Sequence, residues 1–452
     1  MSTAPVSVGD LIDSSPIGSL QWRTVALCAL VAIIDGFDTQ AIAFVAPILT
    51  DQFDIADAAM GTVFSAALFG LMLGAFGFSA LSDRVGRKPV IILSCAIMGS
   101  FALLTATATT ANEFIAYRFL TGLGLGGAMP NINAITAEMV PVRRRAFLMT
   151  LMFIGFPLGA VFGGLASTQL IAAFGWQSVF VMGGLIPLLL CLVLALSLPE
   201  SFRWLSASKP QDPRLRDFVR TLAGSAEPAF PEPQSTGRSQ PGTAERNSVA
   251  QLFVDGNTPK TLLLWVVFFS NLLLMYAVLT WLPTIMRNSG QSLDQAILST
   301  VLFNLGGAIG GVLLALAVDR FGAIRMLTHA YLVTAILVAA IGATLGGGLG
   351  LTLSLIFFAG MGVIGSQFGL NALTAGSYST SARATGLGWA LAVGRTGSIV
   401  GPIVIGVFLL GIPLATLFYY ATVPALVCVA ALIALAWVVR RSSSGSAVSR
   451  SH

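Results

Sequence analysis

The sequence predicts an all-α integral membrane protein with twelve transmembrane helices. Of its 452 residues, 56% are hydrophobic and only 10% are charged, whereas about 25% of the residues in soluble domains are charged. Twelve apolar runs reach the length of about 20 residues that a membrane-spanning helix needs. When these runs are threaded back and forth, all but three of the 24 Lys and Arg residues share one side. Since basic residues accumulate in cytoplasmic loops, both termini are predicted to be cytoplasmic.

The predicted spans form two groups of six. Their limits are 24–49, 61–81, 89–109, 113–140, 147–171, 178–198, 261–286, 294–317, 323–346, 350–376, 384–407 and 413–439. Arg287 is the only basic residue in an outer loop, while Arg118 and Arg395 fall within spans. Adding or removing one span would invert half of the loops and destroy this segregation, so charge supports the count independently of hydropathy.

Between Glu200 and Pro259 the composition changes to Pro, Ser, Gly and charged residues. Such a segment cannot bury a core. We therefore expect an N-terminal six-helix half over 1–199, a cytoplasmic linker over 200–259 and a C-terminal half over 260–452. Within the linker, a helix is expected near Pro213–Leu222 and disorder elsewhere.

The composition also argues against several classes of function. The four cysteines lie inside apolar runs without metal-ligand spacing, so we expect neither a metal site nor a disulfide framework. His clusters and nucleophile motifs are missing, which argues against an enzyme and predicts no cofactor. The net charge of +5 is explained by the cytoplasmic loops, so no nucleic-acid partner is expected.

Two motifs of the first half recur in the second half. Asp83–Lys88 after the second span resembles Asp319–Gly322 after the eighth, and the glycines within Gly155–Gly164 of the fifth span resemble those within Gly394–Pro402 of the eleventh. Parallel repeats of this kind are found in transporters whose binding site lies near the midplane, between the repeats.

Two carboxylates interrupt the first apolar span, Asp35 and Asp38. Each costs about 2.5–3.5 kcal/mol by insertion scales if it lies at the centre of a membrane helix. At spacing i, i+3 they share a helix face, which therefore lines a polar path or the bundle interior. They are the only carboxylates near mid-membrane, and we predict that one of them carries a proton. The alternative is a packing pair satisfied by donors on neighbouring helices.

Two arginines are candidates for binding an anionic substrate. Arg395 lies twelve residues past Arg383, roughly 18 Å from the cytoplasmic face and level with Asp35. Its guanidinium offers a bidentate fork to a carboxylate, although it has the alternative of pinning the eleventh helix to the first half. Arg118, five residues after Glu113, either snorkels outward or faces the cavity.

Other polar and aromatic side chains extend the predicted substrate site. Gln367 and Asn371 form one stripe of the tenth helix together with Thr374. The aromatic candidates for stacking on a ring are Tyr276, Trp281 and Trp389.

The loop Ser82–Pro89 is the most specific motif. It resembles the loop between helices two and three of the major facilitator superfamily, Gly-x-x-x-Asp-Arg-x-Gly-Arg-Lys, with Phe78 or Ser79 in place of the first glycine. A tight turn at Gly86 would hold Asp83 where it can meet a helix N-terminus or a cation on a neighbouring helix. A basic anchor that only sets topology would leave Asp83 unexplained.

Further motifs resemble the aromatic acid:proton symporters within that superfamily. They are Asp35–Thr39 in the first span and Tyr117–Gly127 with Pro130 and Glu138 in the fourth. The resemblance implies proton-coupled import of aromatic carboxylates such as hydroxybenzoates across a bacterial inner membrane. It places the following residues at positions that the family uses: Asp35, Asp38, Asp83, Arg118, Glu138, Asp319 and Arg395.

A gating role is predicted for charged residues near the cytoplasmic face. Glu138 precedes Arg143–Arg145 by one to two turns and is expected to form a gate or a structural ion pair there. The full gating set is Asp83, Arg84, Arg87, Glu138, Arg144, Asp319 and Arg320.

These features predict a monomeric twelve-helix secondary transporter that imports a small aromatic carboxylate with a proton. A carrier of another organic acid and an efflux antiporter remain alternatives of the same fold. A substrate-sensing receptor and a membrane-embedded enzyme are alternatives of other classes, which counterflow in proteoliposomes would distinguish from a carrier.

Overall fold

The computed structural model describes residues 8–208, 211–215, 249–254, 257–379, 382–409 and 412–448, and within these ranges it contains helices but no β-strand. Twelve long helices traverse the molecule. They are α1 (Ser19–Phe53), α2 (Asp57–Val85), α3 (Arg87–Thr105), α4 (Ala111–Met139), α5 (Val142–Phe153 and Gly155–Phe174), α6 (Gln177–Ser197), α7 (Thr258–Asn288), α8 (Leu293–Phe321), α9 (Ala323–Thr344), α10 (Leu349–Ser377), α11 (Arg383–Leu409) and α12 (Leu414–Val448).

Eleven of these twelve helices are long and apolar enough to cross a membrane. The exception is α4, whose glycines, Arg118 and Asn131 lower its hydropathy although it has 29 residues. Each helix coincides with one predicted span. The fifth span differs in detail, because its helix is interrupted at Ile154 between its two segments.

Helix packing repeats between the halves. In the first half α2 packs on α4, α1 on α5 and α3 on α6; in the second, α8 packs on α10, α7 on α11 and α9 on α12. The halves meet through α2 with α11, α5 with α8, and α1 with α7. Adding six to each helix number converts one set of contacts into the other, which is the expected result of a parallel repeat.

Glycines allow the closest of these helix pairs to form. A Cβ on Gly159 of α5 would overlap the carbonyl of Ile33 on α1, and one on Gly397 of α11 would overlap the carbonyl of Phe269 on α7. Small residues let membrane helices approach to backbone contact. The glycines that recur in the two halves therefore make the equivalent helix contact in each half.

The loops that carry the other repeated motif also have the same backbone conformation in both halves. Gly86 (φ +107) joins α2 to α3, and Gly322 (φ +87) joins α8 to α9. Residues other than glycine rarely adopt positive φ angles of this size. We call the end of the bundle that carries these two loops the basic end, and the opposite end the far end.

The apolar core differs between the two ends. One large cluster contains residues of both halves, including Phe64 of α2 and Trp281 of α7. Two other clusters each belong to one half: one contains Met139 and Trp204, the other Leu252 and Tyr331. A smaller cluster, which contains Val161 of α5 and Val301 of α8, is also shared between the halves.

The ends of the linker are packed, contrary to the expectation that this segment buries nothing. Trp204 and Leu205, in a short helix Phe202–Ser208, are buried against the first half, and Leu252, in the 3-10 helix Val249–Phe253, is buried against the second. The expected helix near Pro213–Leu222 is helical over 213–215 and otherwise lies outside the described residues, as does the segment 216–248. The boundaries of the two halves stay a prediction.

Candidate functional site

Asp35 and Asp38 are both fully buried in α1, with 1% and 0% of their surfaces exposed. Although they are one turn apart, their carboxylates have different surroundings. Gly36 between them lies so close to α5 that a Cβ there would overlap the carbonyl of Phe156. This contact fixes the rotation of α1 and hence the direction in which each carboxylate points.

Asp38 is held in a closed ion pair within the first half. Arg118 of α4 donates from Nη1 to one carboxylate oxygen of Asp38 (3.2 Å) and from Nη2 to the other (3.1 Å). The same Nη2 donates to the backbone carbonyl of Asp38 at 2.9 Å. Both side chains are 0% exposed, and the guanidinium lies 5.8 Å from the centroid of the Phe180 ring. Arg118 therefore neither snorkels outward nor faces the space between the halves.

Asp35 is only half satisfied. Thr39, one turn on, donates to its Oδ1 at 3.3 Å, whereas its Oδ2 is buried without a hydrogen-bond partner. The guanidinium of Arg395 on α11 acts electrostatically on this carboxylate, but the described residues show no ion-pair contact between the two. Asp35 therefore lacks a bound cation, whereas Asp38 is paired with an arginine of its own half.

Arg395 is half-buried and its Nη1 donates to the hydroxyl of Tyr276 on α7 at 3.1 Å. Tyr276 lines a narrow cavity between the halves, together with side chains of α1 and α2 that include Thr39 and Phe64. A guanidinium has five N–H donors, and one that is bound to a neutral hydroxyl is suited to bind an incoming carboxylate.

The predicted stripe on α10 forms a chain of side-chain amides. Asn271 of α7 donates from Nδ2 to Oε1 of Gln367 (2.8 Å), and Gln367 donates from Nε2 to Oδ1 of Asn371 (3.0 Å). Asn271 is 0% exposed, whereas Gln367 and Asn371 are half-buried. Thr374, the third member of the stripe, is buried and its hydroxyl has no hydrogen-bond partner.

The two predicted tryptophans lie elsewhere. Trp281 is 0% exposed, donates to the carbonyl of Pro402 at 2.8 Å and packs edge-on against Phe64, with ring centroids 5.2 Å apart. Trp389 is 42% exposed and stacks on Trp265. In this conformation neither indole faces the cavity beside Tyr276, because one seals the joint between the halves and the other packs on its own half.

The joint between the halves lies toward the far end. Besides the contact of Phe64 with Trp281, Ser65 donates to the carbonyl of Ile399 at 2.7 Å and Gln40 to that of Leu279 at 3.4 Å. Within the described residues, the ion pairs of the basic end join groups of the first half and of the start of the linker, and none reaches the second half. The molecule is thus closed at the far end and divided at the basic end.

The charged loop at Gly86 is bound to the start of the linker. Arg87 contacts Glu138 at 3.1 Å and Asp83 at 3.2 Å, and the hydroxyl of Ser201 donates to Glu138. Glu200 accepts a hydrogen bond at 2.9 Å from the backbone N–H of Arg87, the first residue of α3, where the helix dipole favours an anion.

Glu138 forms an ion pair with Arg87, and Asp83 at the end of α2 meets the same arginine, which belongs to the neighbouring helix α3. Glu200, rather than Asp83, accepts the hydrogen bond at the N-terminus of α3. Sequence reasoning missed Glu200 because it belongs to the polar linker. Its position directly after an apolar span and opposite a basic loop was the available signal.

The remaining gating candidates make fewer contacts. Arg84 and Arg144 are exposed, and Arg320 lies over the ring of the adjacent Phe321 at 5.3 Å. The side chain of Asp319 lies outside the described part of the chain. The first half therefore has a bound loop at Gly86 for which the described residues show no counterpart at Gly322.

Comparison with known proteins gives a consistent result. The sequence matches the family described as Major Facilitator Superfamily over residues 28–402 and 264–451. It is 40% identical to the 4-hydroxybenzoate transporter PcaK of Pseudomonas aeruginosa, over 90% of each chain. It is 37% identical to a gallate transporter of Pseudomonas putida, over 95% of each chain. The fold resembles a partially occluded inward open structure of the xylose transporter XylE from E. coli, with a TM-score of 0.74, 19% identity and coverage of 92% of this chain and 97% of that one.

Proposed function

The chain belongs to the major facilitator superfamily, and from this premise we propose that it imports a small aromatic carboxylate with a proton across a bacterial inner membrane. The relatives that transport 4-hydroxybenzoate and gallate support the class of substrate. The segregation of Lys and Arg supports cytoplasmic termini, which makes the basic end cytoplasmic. Because one chain contributes both sides of the site, a monomer is sufficient for transport.

The observations that carry the proposal are the buried carboxylate of Asp35, whose Oδ2 has no hydrogen-bond partner, and the guanidinium of Arg395 in the other half, which donates to the neutral hydroxyl of Tyr276. In the empty carrier the two charges compensate each other. Protonation of Asp35 removes this compensation, and the guanidinium of Arg395 then binds the substrate carboxylate in its place. The loaded site is again neutral and can change its exposure between the two faces of the membrane.

Asp35 is the better proton carrier of the two aspartates on physical grounds. A proton on Oδ2 of Asp35 would neutralise a buried charge at an atom that has no hydrogen-bond partner. A proton on Asp38 would instead leave the guanidinium of Arg118 buried without a counter-ion, which is strongly unfavourable. Asp38 and Arg118 then act as a fixed pair that positions α1.

The test is uptake of labelled 4-hydroxybenzoate into proteoliposomes with an imposed pH gradient, acidic outside. The wild type is expected to accumulate substrate, whereas Asp35→Asn is expected to exchange substrate without accumulating it. For Arg395, binding measured in detergent without a gradient is expected to weaken in Arg395→Lys, which keeps the charge but loses the fork, and to vanish in Arg395→Ala. Unchanged affinity in Arg395→Ala would rule out the carboxylate contact, and accumulation by Asp35→Asn at the normal rate would rule out the proton carrier.

A further inference from the structure

The hydrogen bonds that link the side-chain amides of Asn271, Gln367 and Asn371 all run in the same direction, from donor to acceptor. Each amide offers a carbonyl that accepts and an NH2 group that donates. The observed bonds use the NH2 of Asn271, both ends of Gln367 and the carbonyl of Asn371. The NH2 of Asn371 is therefore the end left over for a further partner.

The two ends of the chain differ in their access to solvent. Asn271 is 0% exposed and its Oδ1 has no partner, so this end is sealed inside the second half. Asn371 is half-buried, and its NH2 is not among the buried polar atoms without a partner. Since Gln367 bonds to α7, the helix that contacts α1 of the first half, this side of α10 faces the bundle interior rather than lipid.

The offset between Arg395 and this donor along the helix axes suits an aromatic acid. Asn371 lies six residues before the end of α10 at Ser377, roughly 9 Å from the basic end. Arg395 lies twelve residues from the start of α11, roughly 18 Å from the same end. The axial offset of roughly 9 Å fits a benzoate ring with a hydrogen bond at each end, the carboxylate on Arg395 and a ring oxygen on Asn371.

On the basis of the proposed function, we propose that Asn371, oriented by Gln367 and Asn271, binds the ring hydroxyl of the substrate and so selects hydroxylated over unsubstituted aromatic acids. The NH2 of Asn371 donates to the hydroxyl oxygen. Gln367 and Asn271 are positioning residues, because their hydrogen bonds hold the carbonyl of Asn371 and turn its NH2 outward. A site that hydrogen-bonds a substrate hydroxyl also disfavours an analogue that lacks it, since the polar group of the site is then left unpaired.

The experiment compares uptake of labelled 4-hydroxybenzoate with uptake of labelled benzoate, which keeps the carboxylate and lacks the hydroxyl. Asn371→Ala is expected to raise KM for 4-hydroxybenzoate about two- to tenfold, the effect of one neutral hydrogen bond, and to lower KM for benzoate, because no donor is then left unpaired. Gln367→Ala is expected to give a smaller change in the same direction. Asn288→Ala, the same substitution at the exposed end of α7, is the matched control and is expected to change neither KM.

Benzoate uptake reports whether each variant is folded and active, so loss of folding is not mistaken for loss of selectivity. An equal change of both KM values in Asn371→Ala, or no change in either, would overturn the assignment of Asn371. If the wild type transports neither acid, the proposed function fails, and this result is distinct from both of those outcomes.

Discussion

The buried pair of Asp38 and Arg118 predicts a specific pattern of stability in a double-mutant cycle. Asp38→Asn leaves a guanidinium that is 0% exposed without its counter-ion, and Arg118→Gln leaves a carboxylate in the same state. Removal of one member of a buried pair costs about 3–5 kcal/mol. The double variant contains two neutral amides that can hydrogen-bond to each other, so we expect most of this loss to be recovered.

The assay is equilibrium unfolding of the purified protein in detergent, with the free energy extrapolated linearly to zero denaturant. We expect each single variant to lose about 3–5 kcal/mol and the double variant to lose much less than the sum, because residues in direct contact are coupled. Strict additivity, or single variants within about 1 kcal/mol of the wild type, would refute the interpretation of a closed pair. Since Asp38 is not the proposed proton carrier, the double variant should also accumulate substrate.

Three further predictions concern packing and conformation. Gly36→Ala should destabilise the protein by about 1–3 kcal/mol or more, the cost of overpacking, because its Cβ meets a carbonyl of α5; Gly77→Ala, whose Cβ meets nothing within 4 Å, is the control in thermal unfolding. Trp281→Ala should open the far end, so that an impermeant reagent labels a cysteine at Ser65 faster from outside; an unchanged rate would contradict this. Glu200→Gln should lower the unfolding free energy by about 0.3–1 kcal/mol through loss of an anion at a helix N-terminus, and a changed substrate KM would argue against a purely structural role.

The fold was largely predictable because hydropathy and charge segregation report on the same constraint, the bilayer. What they miss is the part of each helix outside the apolar layer. The first span was predicted to begin at residue 24, whereas α1 begins at Ser19. The twelfth was predicted to end at 439, whereas α12 ends at Val448. The apolar run ends where polar residues begin, but the helix continues because its backbone hydrogen bonds do not require apolar side chains.

The site was predictable in its residue types and less so in its partners. Charged residues inside membrane helices are usually functional. This rule identified Asp35, Asp38, Arg118 and Arg395 as candidates. Which pairs form depends on the rotation of α1, and that is set by a backbone contact of Gly36 that no local pattern encodes. Aromatic residues were the least predictable, because Trp281 is equally suited by composition to a ring-binding site and to a seal between helices.

The four charges near the midplane also bear on the energetics of transport. Two aspartates and two arginines sum to zero, so with the roles proposed above the empty carrier crosses between its two states without moving net charge. Adding one monocarboxylate and one proton keeps that sum at zero. The cycle is then electroneutral: the pH difference drives it, and the membrane potential, worth about 2.3 kcal/mol per elementary charge per 100 mV, does no work on it. Collapse of the potential alone with valinomycin and potassium would leave uptake intact, whereas a second coupled proton would make uptake depend on the potential.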